Sequence, residues 1–259
     1  MKPTKEYNGR SRIRMYNCDC MDFMEDCDKY DLAIVDPPYG IEKKISTGGG
    51  SHTKSKVKFH QRYKENGKNW DNKRPDKYYW KALFDSSDNQ IVFGGNYFCE
   101  NLPISRGWAF WDKQGKNMTT VNDELIWTSF DVSIKTFSRC HGMDKGFMAD
   151  HKVFHPTTKP VQLYKWLLKN YGTECKNCKG EGSYYEDVAG DGGSKMLMHC
   201  DICDGSGNGT ILDTHGGSLS IAIACWDLGF DLDVCELDTD YFNDAVKRFE
   251  QHISQAQLF

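Results

Sequence analysis

The 259-residue chain has no uninterrupted apolar run approaching the ~18 residues of a membrane span, and Met1 is followed by Lys, Pro, Thr, Lys and Glu in place of the apolar stretch of a secretory leader. A soluble, cytoplasmic protein that makes no membrane contact is therefore the expectation. There is no global excess of basic charge either: the formal net charge is −4, which excludes a uniformly basic nucleic-acid binder, although an average can hide a local patch. The cysteine count, eleven, is odd. Six of them (Cys18, Cys20, Cys27, Cys99, Cys225, Cys235) fall in segments that read as strands or helices, a distribution that suits reduced thiols plus a metal site and not a secreted disulfide framework.

A local patch is present. From Lys43 to Lys77 there are nine lysines and two arginines against three acids, a net of +8, so the rest of the chain carries −12. Such asymmetry suits a surface that meets a polyanion; a solvated loop is the alternative. Residues 41–76, which include "STGGGSHTKSK", read as a long mobile loop with a functional use, for DNA contact or target recognition.

Elsewhere the pattern is α/β. Short apolar runs at 32–35 and 90–93 and the alternation at 12–17 predict strands, as do 108–111, 125–128 and 132–137, the last three with antiparallel pairing among them. Helical periodicity covers 78–84, 161–171, 219–228 and 241–253. "TILDTHGGSLSIAIACWDLGFDLDVCELD" (210–238) reads as strand, glycine turn, helix, strand, the layout of a nucleotide-binding βαβ unit. The length suits one α/β domain spanning 1–259 with a small insertion at 172–209.

The most informative stretch is "LAIVDPPYG" (32–40). In open α/β sheets, ligands bind outside the carboxyl ends of strands, and Asp36 follows such a strand at once. Pro37 and Pro38 have fixed φ and no N–H, so the chain cannot continue as ladder or helix and their carbonyls stay as rigid acceptors. A carboxylate and a main-chain carbonyl side by side, next to the flat ring of Tyr39, fit an exocyclic amino group on a stacked aromatic heterocycle. A proline turn carrying a surface Asp is the plain alternative.

With "HPTTKP" at 155–160 and "LDTHGGSLS" at 212–220, this stretch resembles the amino-methylating DNA methyltransferases that use S-adenosylmethionine, in the circularly permuted β arrangement. "FGGNYF" (93–98), "WDKQ" (111–114), "ELIWTSF" (124–130) and "VQLYKWLLKNY" (161–171) are similar to the small stand-alone enzymes of phages and prophages. The resemblance implies a seven-stranded Rossmann-like mixed sheet of the class I methyltransferase type whose cofactor half is split between the two chain ends. It also implies methyl transfer to a base flipped out of double-stranded DNA at a short sequence, adenine N6 first because Asp, not Ser, precedes the two prolines, with cytosine N4 as the alternative.

Asp36, Pro37, Pro38 and Tyr39 would be catalytic: two acceptors for the amino N–H groups and a ring to stack the base. On the cofactor side, Asp213 ends a strand and His215, Gly217 and Ser218 form the turn. Glu236, about twenty residues beyond it, has the usual distance for an acid on ribose hydroxyls. By resemblance Asp19 would contact the adenine end, and Thr157 and Lys159 would help close the methionine pocket. Plain turn chemistry for the glycines, a helix-starting turn for "HPTTKP" and a satisfied surface acid for Glu236 are the bland readings. Family members usually carry phenylalanine where His215 stands and glycine where Leu219 stands.

The insertion holds two copies of C-x-x-C-x-G-x-G, "CKNCKGEG" (175–182) and "CDICDGSG" (200–207). Two such knuckles offer four thiolates to one tetrahedral ion, so Cys175, Cys178, Cys200 and Cys203 are read as ligands of a structural Zn2+, with iron–sulfur or redox roles as alternatives and His199 as a fallback ligand. The repeat also resembles the cysteine repeats of the DnaJ-type zinc domain. The insert could staple the glycine loop, touch DNA or decorate the fold. A third class of reading is a zinc-bearing DNA-binding protein on an inactive methyltransferase scaffold. The recognised sequence, a homodimeric or other assembly, a bacterial or phage host, and any partner restriction nuclease are left open by these residues.

Overall fold

The computed structural model describes residues 1–40, 73–114, 123–139, 158–187 and 195–256. The strands are β1 (Lys5–Asn8), β2 (Arg12–Tyr16), β3 (Tyr30–Val35), β4 (Ser87–Phe93), β5 (Trp108–Asp112), β6 (Glu124–Thr128), β7 (Lys135–Ser138), β8 (Ser183–Asp187), β9 (Lys195–His199), β10 (Ile211–Asp213) and β11 (Leu232–Cys235). The helices are α1 (Cys20–Glu25), α2 (Lys77–Asp85), α3 (Val161–Tyr171), α4 (Ser220–Leu228) and α5 (Thr239–Ala256).

Nine strands form one sheet in the order β1-β2-β11-β10-β3-β4-β6-β5-β7. Only β1 and β6 run against the rest. The seven strands from β2 to β5 are the expected mixed Rossmann-like sheet. Two short edge strands extend it to nine: β1, almost wholly exposed, and β7, which pairs parallel with β5 and not antiparallel. β1 buries little apolar surface and so carries no strong periodic signal, whereas β7 overlaps the strand expected at 132–137. The strands β2, β11 and β10, drawn from the two ends of the chain, lie side by side.

The pleat explains the layers. Along β3, Leu32 and Ile34 face one core with α3, α4 and α5, while Ala33 and Val35 face a second with α1 and α2. With both faces covered, the parallel strands are continuous apolar runs. The alternating arginines of β2 have partners on β11: Arg14 grips Asp233 with two bonds of 2.6 and 2.7 Å, and Arg12 pairs with Asp231 at 3.0 Å.

The winding of the sheet reverses between the parallel strands β10 and β3: β10 leads away to β11 on one side, β3 to β4 on the other. The crevice outside their carboxyl ends is therefore the switch point where such sheets bind ligands. Asp213 and Asp36 both stand there. From the pairing of Ile211 with Leu32 and Leu212 with Ala33, Asp36 lies two residues beyond the level of Asp213 on the adjacent strand, an offset of about 8 Å from standard strand spacings.

The described parts of the insertion, 173–187 and 195–209, leave the sheet through a neck where Gly209 N donates to the Thr173 carbonyl (2.8 Å) and Glu174 bridges to Asn208. The unit docks on the opposite, amino-terminal rim. Lys176 pairs with Asp31 (3.4 Å) and Asp88, and Arg12 donates to the Ile202 carbonyl (3.4 Å). Its two-stranded β8–β9 hairpin packs Tyr184 on the cysteines. It thus stands away from the glycine turn it precedes in sequence. Among the described residues no helix is long and apolar enough to cross a membrane.

Candidate active site and metal centre

β3 delivers Asp36 to the rim, and the prolines prevent further pairing. Asp36 is largely buried and both of its oxygens are engaged: Oδ1 accepts from the Tyr39 hydroxyl at 2.5 Å, and Oδ2 from Lys159 Nζ at 2.7 Å. Lys159, just before α3, is buried and also meets Glu124 Oε1 at 3.1 Å. Glu124, the first residue of β6, receives Lys113 Nζ on its other oxygen at 2.9 Å, and its Oε1 lies 3.0 Å from the Tyr39 hydroxyl. Two ammonium groups and two carboxylates thus share one pocket around a phenol. Lys159 also lies over the Phe93 ring, 4.8 Å from its centroid.

The two acids differ in their setting. Burial, reinforced by the charge of Glu124, pushes Asp36 above the ordinary aspartate range even though Lys159 opposes it. Glu124 is buried too, but Lys159 and Lys113 together hold it down to about 2. Lys159 remains charged: burial works against it, while Asp36 and Glu124 raise it to about 12. Glu124 is thus held by two lysines, Lys113 and Lys159, while Asp36 has Lys159 alone.

"FGGNYF" shapes this wall. Gly94 has φ +61°, and a Cβ there would come within 2.6 Å of the Tyr39 ring, so only glycine lets that ring lie against the end of β4. Tyr39 is stacked on Tyr97 (centroids 5.0 Å, 15° between planes). Tyr97 thus occupies one face of the ring. The Lys159 ammonium is bound to Asp36 and Glu124, partners that the sequence did not indicate.

Across the switch point, Asp213 is buried with Oδ1 accepting the His215 N–H at 2.9 Å. Burial, with the Asp36 and Glu236 charges nearby, pushes its carboxyl up to about 8. Asp213 ends β10 and Asp36 follows β3, its parallel neighbour, so the two halves of the site stand at the same carboxyl rim of the sheet. Glu236 follows β11 and accepts from Gly217 N (2.7 Å) and Asp238 N (2.9 Å). His215 is half-buried, bonded through Nδ1 to Thr214 Oγ1 (2.8 Å) and edge-on to Tyr79. Burial lowers it to about 4, so it is a neutral ring that fills an aromatic's place.

Leu219 adopts the left-handed conformation (φ 54°, ψ 30°) that a glycine would take there, and its side chain is buried in the core. Ser218 turns inward: its hydroxyl meets Ser220 at 3.1 Å and its carbonyl accepts from Arg248. Asp19 caps α1 by accepting from Met21 N at 2.9 Å, near enough for its charge to act on His215. Thr157 and nearly all of the basic segment 41–76 lie outside the described residues. Of its described end, Arg74 donates to the Tyr39 carbonyl at 3.1 Å.

In the insertion, the four thiols of Cys175, Cys178, Cys200 and Cys203 are buried and lie within 4.8 Å of one another. The Cys175–Cys200 and Cys178–Cys203 sulfurs are 3.8 and 3.6 Å apart, close to the edge of about 3.8 Å that a tetrahedron with Zn–S bonds of about 2.3 Å requires. The two knuckles repeat one another's contacts: Gly182 N donates to Cys178 Sγ (3.2 Å) and Gly207 N to Cys203 Sγ (3.4 Å). A Cβ at Gly182 would strike the Gly205 carbonyl, and one at Gly207 the Gly180 carbonyl, each at 2.2 Å. The repeated glycines are thus a packing requirement. His199 faces Asp204 (3.0 Å) and is no part of the cluster.

The chain thus has one large mixed α/β sheet, mostly parallel, with a single internal reversed strand. No family model and no curated protein matches it. Similar solved structures include the complex of M1.HpyAVI with SAM (15% identity, 91% of this chain and 99% of that one, TM-score 0.48). Two others are TTHA0409, a putative DNA modification methylase from Thermus thermophilus (12%, 93% and 95%, 0.48), and the cytosine-N4-specific PvuII DNA methyltransferase (10%, 93% and 90%, 0.49).

Proposed function

We propose that the protein is a circularly permuted, S-adenosylmethionine-dependent DNA methyltransferase that methylates an exocyclic amino group, adenine N6, of a base flipped from the duplex. The observation that carries this reading is the placement of the Asp36-Pro37 acceptors and of Asp213, the glycine turn and Glu236 at the carboxyl ends of the adjacent parallel strands β3, β10 and β11, at the switch point of the sheet. The donor set suits the cofactor: Asp213 for its ammonium, Glu236 for the ribose hydroxyls, and the neutral His215 as an aromatic wall. When bound, S-adenosylmethionine supplies an electrophilic methyl group.

Asp36 and the Pro37 carbonyl each accept one amino N–H, which holds the nitrogen lone pair toward the donor, and placement does most of the catalysis. No covalent intermediate on the protein is needed, so no cysteine acts as a nucleophile. Tyr39 stacks the extruded base, exchanging its present partner Tyr97 for it, a contact worth about 1 to 3 kcal/mol per base. The basic segment 41–76 supplies phosphate contacts.

We read the four-cysteine cluster as a structural zinc site. The insert from 172 to 209 has three lysines against seven acids, a net of −4, which favours a structural unit over a DNA contact. Cytosine N4 remains the second reading for the base, since the same two acceptors would hold either amine.

The test is product identity. Purified protein is incubated with labelled cofactor and mixed-sequence duplex DNA, and the digested nucleosides are resolved by mass spectrometry. N6-methyladenine is expected; N4-methylcytosine selects the second reading, and no methylated nucleoside defeats the proposal. Zinc measured on the same sample should approach one ion per chain.

A further inference from the structure

The acceptor that must receive the substrate amine already has both oxygens in use. Tyr39 holds Asp36 Oδ1 and Lys159 holds Oδ2, and a cation beside Oδ2 opposes the positive charge that grows on an amine during methylation. A phenol has one proton, yet the Tyr39 hydroxyl lies within bonding distance of both Asp36 and Glu124. Lys159 touches the same two carboxylates. Glu124 Oε1 is thus the alternative acceptor for each donor that now occupies Asp36, and Lys113 fixes Glu124 from the far side.

Resting on the methyltransferase reading, we infer that Glu124 is a positioning residue for transfer: it takes the Tyr39 hydroxyl and the Lys159 ammonium as Asp36 turns to the amine, and its charge cancels that of the ammonium facing the reacting nitrogen. The pocket's charges balance only with Glu124 present: Asp36 and Glu124 against Lys159 and Lys113. Without it, buried Lys159 has Asp36 alone, and breaking that pair to admit substrate leaves an uncompensated buried cation. Glu124 also shapes the pH response. The groups around Asp36 are Lys159 before α3, Glu124 on β6, Tyr39 on its own loop, Asp213 on β10, Tyr79 on α2 and Tyr164 on α3. Of these, Glu124 is the anion that raises Asp36 most.

The experiment compares wild type, Glu124→Gln and Glu124→Asp in single-turnover transfer from labelled S-adenosylmethionine to mixed-sequence duplex DNA across pH, with cofactor Kd measured alongside. Glu124→Gln is expected to lose roughly tenfold or more in rate with Kd unchanged within about twofold, and its acid limb should move to lower pH because Asp36 loses an anionic neighbour. Glu124→Asp, which keeps the charge, should recover much of the rate and the limb. An active wild type matched by Glu124→Gln overturns the inference alone, as does a slow variant whose acid limb has not moved. A wild type that methylates no DNA overturns the underlying reading and this inference with it. Should Glu124→Gln fail to fold, Glu124→Asp decides by rate alone: transfer roughly a few-fold slower than wild type with the limb in place supports the inference, because the shorter side chain reaches both donors less well, and transfer equal to wild type overturns it.

Discussion

Leu219 offers a quantitative check on the glycine turn. Its left-handed backbone costs about 1 to 2 kcal/mol for a residue with a side chain, and full burial of a leucine returns about 1.5 to 3 kcal/mol. Leu219→Ala keeps the backbone strain and gives up the packing, so it should destabilise by about 2 to 5 kcal/mol. Leu219→Gly gives up the same packing but relieves the strain. Glycine ordinarily costs about 0.5 to 1 kcal/mol more than alanine in regular structure; here the order should invert, with the glycine variant the more stable by about 1 kcal/mol. For a chain of this size that is a Tm difference of about 2 to 4 °C. Paired denaturant and thermal melts read it directly. An alanine variant more stable than the glycine variant would mean that residue 219 is not left-handed and that the loop contour beside Asp213 is different.

Two further outcomes follow from the site. His215 is free to protonate at about 6.5 in the unfolded chain and only at about 4 in the fold, so stability should fall as pH drops from 6.5 to 4, by at most about 3 kcal/mol. His215→Phe should flatten that slope and leave cofactor binding in place; an unchanged slope in urea melts would refute the burial argument. Removing metal with a chelator, or Cys200→Ser, should loosen the β8–β9 unit, seen as faster amide exchange in 195–209, while exchange in β3 and β4 stays slow because the unit meets the sheet through its amino-terminal rim. Equal loosening of β3 would contradict that arrangement.

The parts of the molecule legible in the sequence are those whose chemistry is local. "DPPY" ends a strand whatever it packs against, the two C-x-x-C-x-G-x-G copies specify their own knuckles, and α3 is bounded by Pro160 and Gly172. Glu124 had no such signal. It is one acid at the start of an apolar strand, and only the pairing of β4 with β6, Phe93 opposite Ile126, carries it to Tyr39. The ion pairs of Lys159 were illegible for the same reason: its partners, Asp36 and Glu124, are distant in the chain. Ser218 was legible as part of a turn but not as inward-facing, since Arg248, the group that draws it in, lies on α5. The short α1, capped by Asp19, buries only Phe23 and Met24 and was too brief for periodicity to register.

The central claim is that Asp36 holds the amine and not the cofactor. Asp36→Ala leaves Lys159 paired with Glu124, so the fold should survive. The measurement is cofactor affinity and methyl transfer on the same preparation: binding within a few-fold of wild type with transfer abolished is the predicted result, and a parallel loss of both, or transfer that persists, would contradict it.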